Sequence, residues 1–400
     1  MLSRNGAPFV SILLAAALGT GSIGCGGSSA SSPPPPPVIG TGQISFSFGP
    51  EETVFNHTTD SCEPLDVPDT PAHAVRLPDN SLMLEDGDAP RNYAMFGADF
   101  STLHRSCAAP ILVSDDLTTA DTFDNQEWIE SVYRVGNTIH GLIHNEFHDP
   151  IAPDCKPGDS TPGNPCWYNS IAYGVSVDGG HTFTHAPPPG HLLAPPPDQW
   201  NPQGPPPPYG YFEPSNIVLA QDNFYYAVFR ANPENAPCCK YICLIRTQTL
   251  DDPTSWRAWD GSGFGLQMTN PYTAPSSLCA GVASDVGEPT LTYNSYLGQY
   301  MMVGSAIVGT PSVCGAGYAL SADLIHWTEF KIMRTAYFSF APCQPPSGSL
   351  ENGYFSIIDH SDTTPNFEKA GQQPFLYYTR FNDTDLNRDL VRVSVTITSH

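Results

Sequence analysis

EWIESVYRVGNTIHGLIHNEFH, residues 127–148, carries the pattern that decides the fold. One apolar run ends in the turn VGNT, and a second apolar run follows at once. That is strand, turn, strand, with no helical period. Three further stretches repeat it: YFEPSNIVLAQDNFYYAVFRAN (211–232), VGEPTLTYNSYLGQYMMVGSA (286–306), and GYFSIIDHSD (353–362) with QPFLYYTRFND (373–383). PDTPAHAVRLPDNSLMLEDGD (68–88) is a more divergent fifth copy. Glu130, Glu213 and Glu288 hold matching positions, 83 and 75 residues apart.

A period that long leaves room for one four-stranded unit per repeat, the spacing of propeller blades. The second half of each unit is visible in YAMFGADFSTLHR (93–105), YGVSVDGGHTFTH (173–185), YICLIRTQTLDDPTSWRAW (241–259) and YALSADLIHWTEF (318–330). The last repeat has LVRVSVTIT (390–398) and nothing after it, so ISFSF (44–48) is expected to supply its outer strand. The expectation is therefore an all-β, five-bladed β-propeller over residues 44–400, closed by its N-terminal strand, which hides the sheet edges. A β-sandwich is the alternative, and it leaves the matched glutamates without a reason.

Composition narrows the partners. The 400 residues carry a net charge of −24, and lysine occurs only at 156, 240, 331 and 369. Such a surface repels phosphate backbones, which argues against nucleic acid. The first 24 residues read as a targeting segment: Arg4, then FVSILLAAALG, too short to span a bilayer. SIGC, ending at Cys25, and the tether GGSSASSPPPPP within 25–43 resemble a bacterial lipoprotein signal, although Ser22 stands where Leu is usual. Export is expected, with a lipid on Cys25 anchoring a monomer to the outer membrane at the cell surface or in the periplasm; plain secretion is the alternative. Ten cysteines remain, an even number suited to disulfides in an exported protein. Cys155 and Cys166 read as a local staple. Cys238, Cys239 and Cys243 crowd one expected loop, and no paired CxxC motifs suggest zinc.

Two short motifs carry a resemblance. SVDGGHTF (176–183) fits the Asp box of sialidase-type propellers, a structural turn between outer strands. SADLIHW (321–327) resembles the equivalent turn in five-bladed glycoside hydrolases of the family 43 kind. The resemblance implies a base on the first blade and an acid on the third, here Asp69 and Glu213, with Asp66 a rival for Asp69. A blade-two carboxylate, Glu130 or Glu146, would orient the acid. Glu288 is a further candidate at the repeat position. No cofactor is required by this resemblance, and a structural calcium on the axis fits such rings.

Side-chain alternation places His140, His144, Glu146 and His148 on one strand face, whose polar end reaches the rim where the repeat carboxylates gather. Glycoside hydrolysis needs one protonated and one ionised carboxyl, and crowding them pushes their pKa values apart. Arg91, Arg230 and Arg380 are expected at the same rim, either to clamp an acidic sugar or to neutralise the glutamates. His144, His148, Trp167, Trp200 and Tyr209 are candidate substrate contacts. His-x-Glu-x-His can hold a metal, but alternate strand residues lie roughly 7 Å apart, so hydrogen bonding is the expected role and no metal ligands are assigned. DTDLNRD (383–389) has Arg388 where a calcium loop needs Gly, and reads as a hairpin turn. The expected function is a glycoside hydrolase acting on a polysaccharide or oligosaccharide. A polysaccharide lyase and a non-catalytic glycan-binding propeller are the alternatives.

Overall fold

The alternating apolar residues form hydrogen-bonded ladders that are buried on both faces. Thr138–His148 pairs with Gln126–Val135 on one side and with Trp167–Ser176 on the other. Ile139, Leu142 and Ile143 within it are at most 1% exposed. The structure, a computed structural model, describes residues 43–115, 117–148, 167–202, 208–233, 240–338, 342–383 and 386–400. The targeting segment with Cys25, most of the tether, Cys155, Cys166, Cys238 and Cys239 lie outside the described residues.

The fold is nearly all β. Helix among the described residues is confined to the short turns His57–Asp60 and Pro253–Ser255. The chain runs through five antiparallel meanders. The first comprises His73–Arg76, Leu82–Glu85, Ala94–Gly97 and His104–Arg105. The second comprises Gln126–Val135, Thr138–His148, Trp167–Ser176 and Leu192–Ala194. The third has Tyr209–Phe212, Tyr225–Asn232, Tyr241–Thr247 and Arg257–Ala258. Gly287–Asn294, Gln299–Val308, Val313–Ser321 and Lys331–Thr335 make the fourth. In the last, Glu351–Ile358, Phe375–Phe381 and Arg388–Ser399 are completed by Ile44–Phe55, which pairs antiparallel with the C-terminal strand. The second and third meanders share one sheet, because Tyr168 and Asn169 pair in parallel with Tyr209 and Gly210. A side chain at Gly210 would strike the Asn169 backbone, and its φ of 117° also favours glycine.

Apolar faces bury one another between successive meanders. Met83 and Val75 pack with Ile129 and Ile143, Leu142 and Ile171 with Phe229 and Ile245, and Val228 and Leu244 with Met302 and Ala319. Met301 and Val303 meet Phe355 and Leu376. Leu82 and Met95 of the first meander meet Ile358 and Tyr377 of the fifth.

Both motif turns form. Ser176 Oγ donates to Asp178 at 2.7 Å, and the Thr182 amide donates to it at 3.0 Å. Asp323 accepts from the amides of Ile325 and His326 at 3.0 and 2.8 Å. Disulfides join Cys62 to Cys107, Cys243 to Cys279 and Cys314 to Cys343. Cys243 corrects the sequence reading. It lies buried inside the strand Tyr241–Thr247, because the apolar run YICLI continues through it, and is not part of a crowded loop.

Candidate functional site

Irregular backbone marks each repeat position. Register breaks at Ile129/Ser131, Gly287/Thr290 and Gly353/Ser356 set a bulge at Glu130, Glu288 and Tyr354. Glu213, just past the strand Tyr209–Phe212, has φ of 52°, Glu288 47° and Tyr354 56°. Left-handed backbone at non-glycine residues costs about 1–3 kcal/mol and persists where the surroundings impose it, often at functional sites. Bulges re-aim side chains, and here they re-aim two carboxyls and a phenol, with the Glu213 carboxyl brought in by its own left-handed backbone.

The Glu130 carboxylate accepts from His144 Nδ1 at 2.8 Å, and His144 Nε2 donates to Asn169 Oδ1 at 3.0 Å. Both side chains are buried. Burial pushes Glu130 up to about 7; the His144 hydrogen bond opposes this, and the charges of Glu213 and Glu146 add to it. Burial works to lower His144, but the Glu130 hydrogen bond and charge outweigh it and raise the imidazole to about 9. Glu146 pairs with His148 Nε2 at 3.1 Å, and the His148 ring lies 5.6 Å from that of Trp167. Glu213 accepts the Glu288 amide at 2.8 Å and faces Arg230 at 3.5 Å, with Arg230 also held by Asp285 at 2.7 Å. Ser305 Oγ donates to Glu288, which burial and then the Glu213 charge push up to about 8.

Across from these stands an acid pair. Asp69 accepts from Tyr354 at 2.8 Å, from Trp128 Nε1 at 3.3 Å, and from Arg388. Asp88 takes the same indole N–H at 3.1 Å. Burial and the neighbouring Asp69 push Asp88 up to about 9. Tyr354 ties the halves together: burial raises its hydroxyl well above the ordinary range, and the charges of Asp69 and Glu288 add to that. Trp128, Trp167, Asp69, Glu213, Glu288 and Tyr354 are all half-buried, so the cluster meets solvent on one side.

Other expected residues sit elsewhere. Arg91 is well exposed and pairs with Glu63 at 3.5 Å. Arg380 bridges Glu51 and Asp389, tying the N-terminal strand to the last hairpin. Tyr209, expected to stack on a sugar, is 3% exposed; hydrophobic burial packs it against Trp200, Tyr168 and Phe147. Trp200 stacks on Tyr209 with centroids 5.5 Å apart. Asp66, the rival of Asp69, is buried in an ion pair with Arg105 at 3.2 Å. His140 bonds Tyr173 OH at 2.7 Å inside the sheet.

Sequence reading missed Asp88, Trp128, Ser305, Tyr354 and Arg388. Two left a trace. NGYFSI aligns with VGEPTL, which puts Tyr354 at the glutamate position. Arg388 is the residue that spoils the calcium-loop pattern. Together the groups provide protonated and arginine-paired carboxyls beside indole faces, which is equipment for acid–base chemistry on a polar substrate.

No family profile matches the chain, and no curated protein does. Among solved structures it is similar to a protein of unknown function from Dyadobacter fermentans, at 12% identity and a TM-score of 0.49, over 88% of this chain and 100% of that one. It is also similar to the endo-arabinase of Bacteroides thetaiotaomicron, at 14% identity and a TM-score of 0.46, over 87% and 97%. A third is the α-L-arabinanase of Cellvibrio cellulosa complexed with arabinohexaose, at 10% identity and a TM-score of 0.44, over 82% and 91%.

Proposed function

We propose that the chain is a five-bladed β-propeller, sealed by Ile44–Phe55, that hydrolyses glycosidic bonds of a polysaccharide or oligosaccharide. The observation that carries this reading is the gathering of Glu130 and Glu288, each at a bulge, and Glu213, in left-handed backbone just past its strand, into one cluster with Asp69 and Asp88. The packing of the first meander on the fifth supports the ring.

Glu288 is the proton donor in this mechanism. It is raised to about 8, so it holds its proton at neutral pH and gives it to the leaving oxygen. Glu213, bonded by an amide and paired with Arg230, tunes and positions it. The sequence resemblance suggested Glu213 as the acid and left Glu288 as a further candidate. Asp69, furnished with donors from Arg388, Tyr354 and Trp128, is the base or nucleophile at the anomeric carbon. Asp88, Glu130 and Glu146 are the supporting carboxyls; His144 and His148 fix their geometry. Trp128 and Trp167 offer rings for sugar stacking. Nothing in the scheme calls for a cofactor. The protein is exported, with lipid on Cys25, and acts as a monomer at the cell surface or in the periplasm.

The test is a polysaccharide panel incubated with purified protein and with Glu288→Gln. Reducing ends released by the first and lost in the second support hydrolysis. An unsaturated, ultraviolet-absorbing product replaces it with a lyase. Saturable binding without turnover replaces it with a glycan-binding propeller. Intact-mass analysis of membrane-extracted protein checks the anchor, and an unmodified N-terminus elsewhere would overturn it.

A further inference from the structure

Away from the carboxylate cluster, a second group of ionisable side chains gathers where the loop before Gln126–Val135 meets the loop after Trp167–Ser176. Asp124 and Glu127 are both 0% exposed. None of their four carboxylate oxygens has a hydrogen-bond partner of normal length and angle. His185 Nε2 faces them, 3.6 Å from Glu127 Oε1 and 4.0 Å from Asp124 Oδ2. Exposed Asp115 completes the mouth, and donor atoms of Asp115, Asp124 and His185 all lie within 4.8 Å of one another. We propose that Asp124, Glu127 and His185, with Asp115 at the opening, bind one divalent transition-metal ion of the Mn2+ or Zn2+ class.

Four physical points carry this. Buried carboxylates without partners are costly, and structures keep them only when something compensates. The His185 imidazole supplies at most one positive charge to the two buried carboxyls, whereas a dication balances both in their ionised form. The His185 spacing also fits: ligands about 2.0–2.2 Å from a shared ion stand roughly 3–4.4 Å from one another, and His185 Nε2 lies 3.6 and 4.0 Å from the two carboxylates. Finally, His185 Nδ1 lies 2.9 Å from the Ala186 carbonyl, which accepts only, so Nδ1 carries the hydrogen and Nε2 is turned to the carboxylates. That is the second-sphere arrangement of metal-binding histidines.

The backbone holds the ligands in place. The Glu127 amide donates to Ser114 Oγ at 2.9 Å, and the Leu117 amide to the Asp124 carbonyl at 2.9 Å. His191 stacks behind His185 with ring centres 4.9 Å apart and donates Nε2–H to the Phe123 carbonyl at 2.8 Å. Imidazole among carboxylates favours a borderline transition ion over Ca2+ or Mg2+, which prefer all-oxygen shells. The site is therefore neither the His140–His148 strand face nor an axial calcium.

The experiment strips the full mature chain with EDTA, then titrates it with MnCl2, ZnCl2 and CaCl2, following bound metal by elemental mass spectrometry and thermal unfolding. One Mn2+ or Zn2+ per chain, a raised Tm, and at least tenfold weaker Ca2+ binding are expected. The pair Asp124→Asn/Glu127→Gln should bind roughly 100-fold more weakly and lose the Tm response. Should that pair fail to fold, Asp115→Asn and His185→Gln, at the open side, decide: each should weaken binding about tenfold. Absence of stoichiometric binding by the native chain overturns the proposal. So does binding undiminished in the variants, or a preference for Ca2+ over both transition ions.

Discussion

Asp178 and Glu288 are both acids at a break between strands, and their surroundings give them opposite properties. Asp178 lies near the surface in the turn after Trp167–Ser176. Burial, the largest single effect, works to raise its pKa, but the Ser176 and Thr182 hydroxyls and the Thr182 amide donate to it and together outweigh burial, lowering the pKa. Glu288 sits in a bulge among other carboxyls and is raised to about 8 by burial and Glu213. A carboxyl surrounded by local donors is a staple that holds a turn. A carboxyl crowded by its own kind and withdrawn from water is a proton reservoir.

The most severe test of that contrast is Glu288→Gln. It keeps the shape and removes the proton, so turnover on a cleaved substrate should fall roughly 10²–10⁴-fold, while the Tm should barely move. Full turnover by Glu288→Gln together with loss in Glu213→Gln would return the donor role to Glu213.

A third kind of acid sharpens the comparison. Asp66 and Asp86 are buried on Arg105, at 3.2 and 2.6 Å. Arg105→Leu strands both charges and should cost about 3–5 kcal/mol in urea unfolding. A change under 1 kcal/mol would show that burial alone does not separate staple from site.

The Glu130–His144 pair makes the contrast titratable. The folded His144 sits at about 9, above its unfolded value near 6.5, so its contribution is fully present below pH 6.5 and is lost as pH rises through 9. The His144 share of the unfolding free energy, read as native protein minus His144→Gln, should drop by about 2 kcal/mol between pH 7 and 9.5. His144→Gln should itself show a flatter slope, and an unchanged slope would move its origin elsewhere.

Asp178→Ala gives the smallest effect. Loss of the turn's bonds should destabilise by about 1 kcal/mol and leave turnover untouched. A loss of activity here would join the outer turn to the site, against the comparison.

The sequence alone determined the β architecture, because apolar runs, turn residues and a recurring glutamate are local signals that survive in one dimension. It likewise determined the two Asp turns, whose donors lie within four residues of the acid. It placed Asp69, Glu130, Glu213 and Glu288 among the candidates because repetition marks equivalent positions, and Glu146 because strand alternation set it at the polar end of 140–148. Their roles were decided by tertiary structure. Whether a carboxyl holds a proton depends on burial and on neighbours such as Glu213 beside Glu288, 75 residues away. Arg388 on Asp69 and Tyr354 on the same acid bridge 319 and 285 residues, which no periodicity encodes. The burial of Tyr209 and the partners of Arg380 are of the same kind. Exposure is a property of the packed chain, and residue type alone does not fix it.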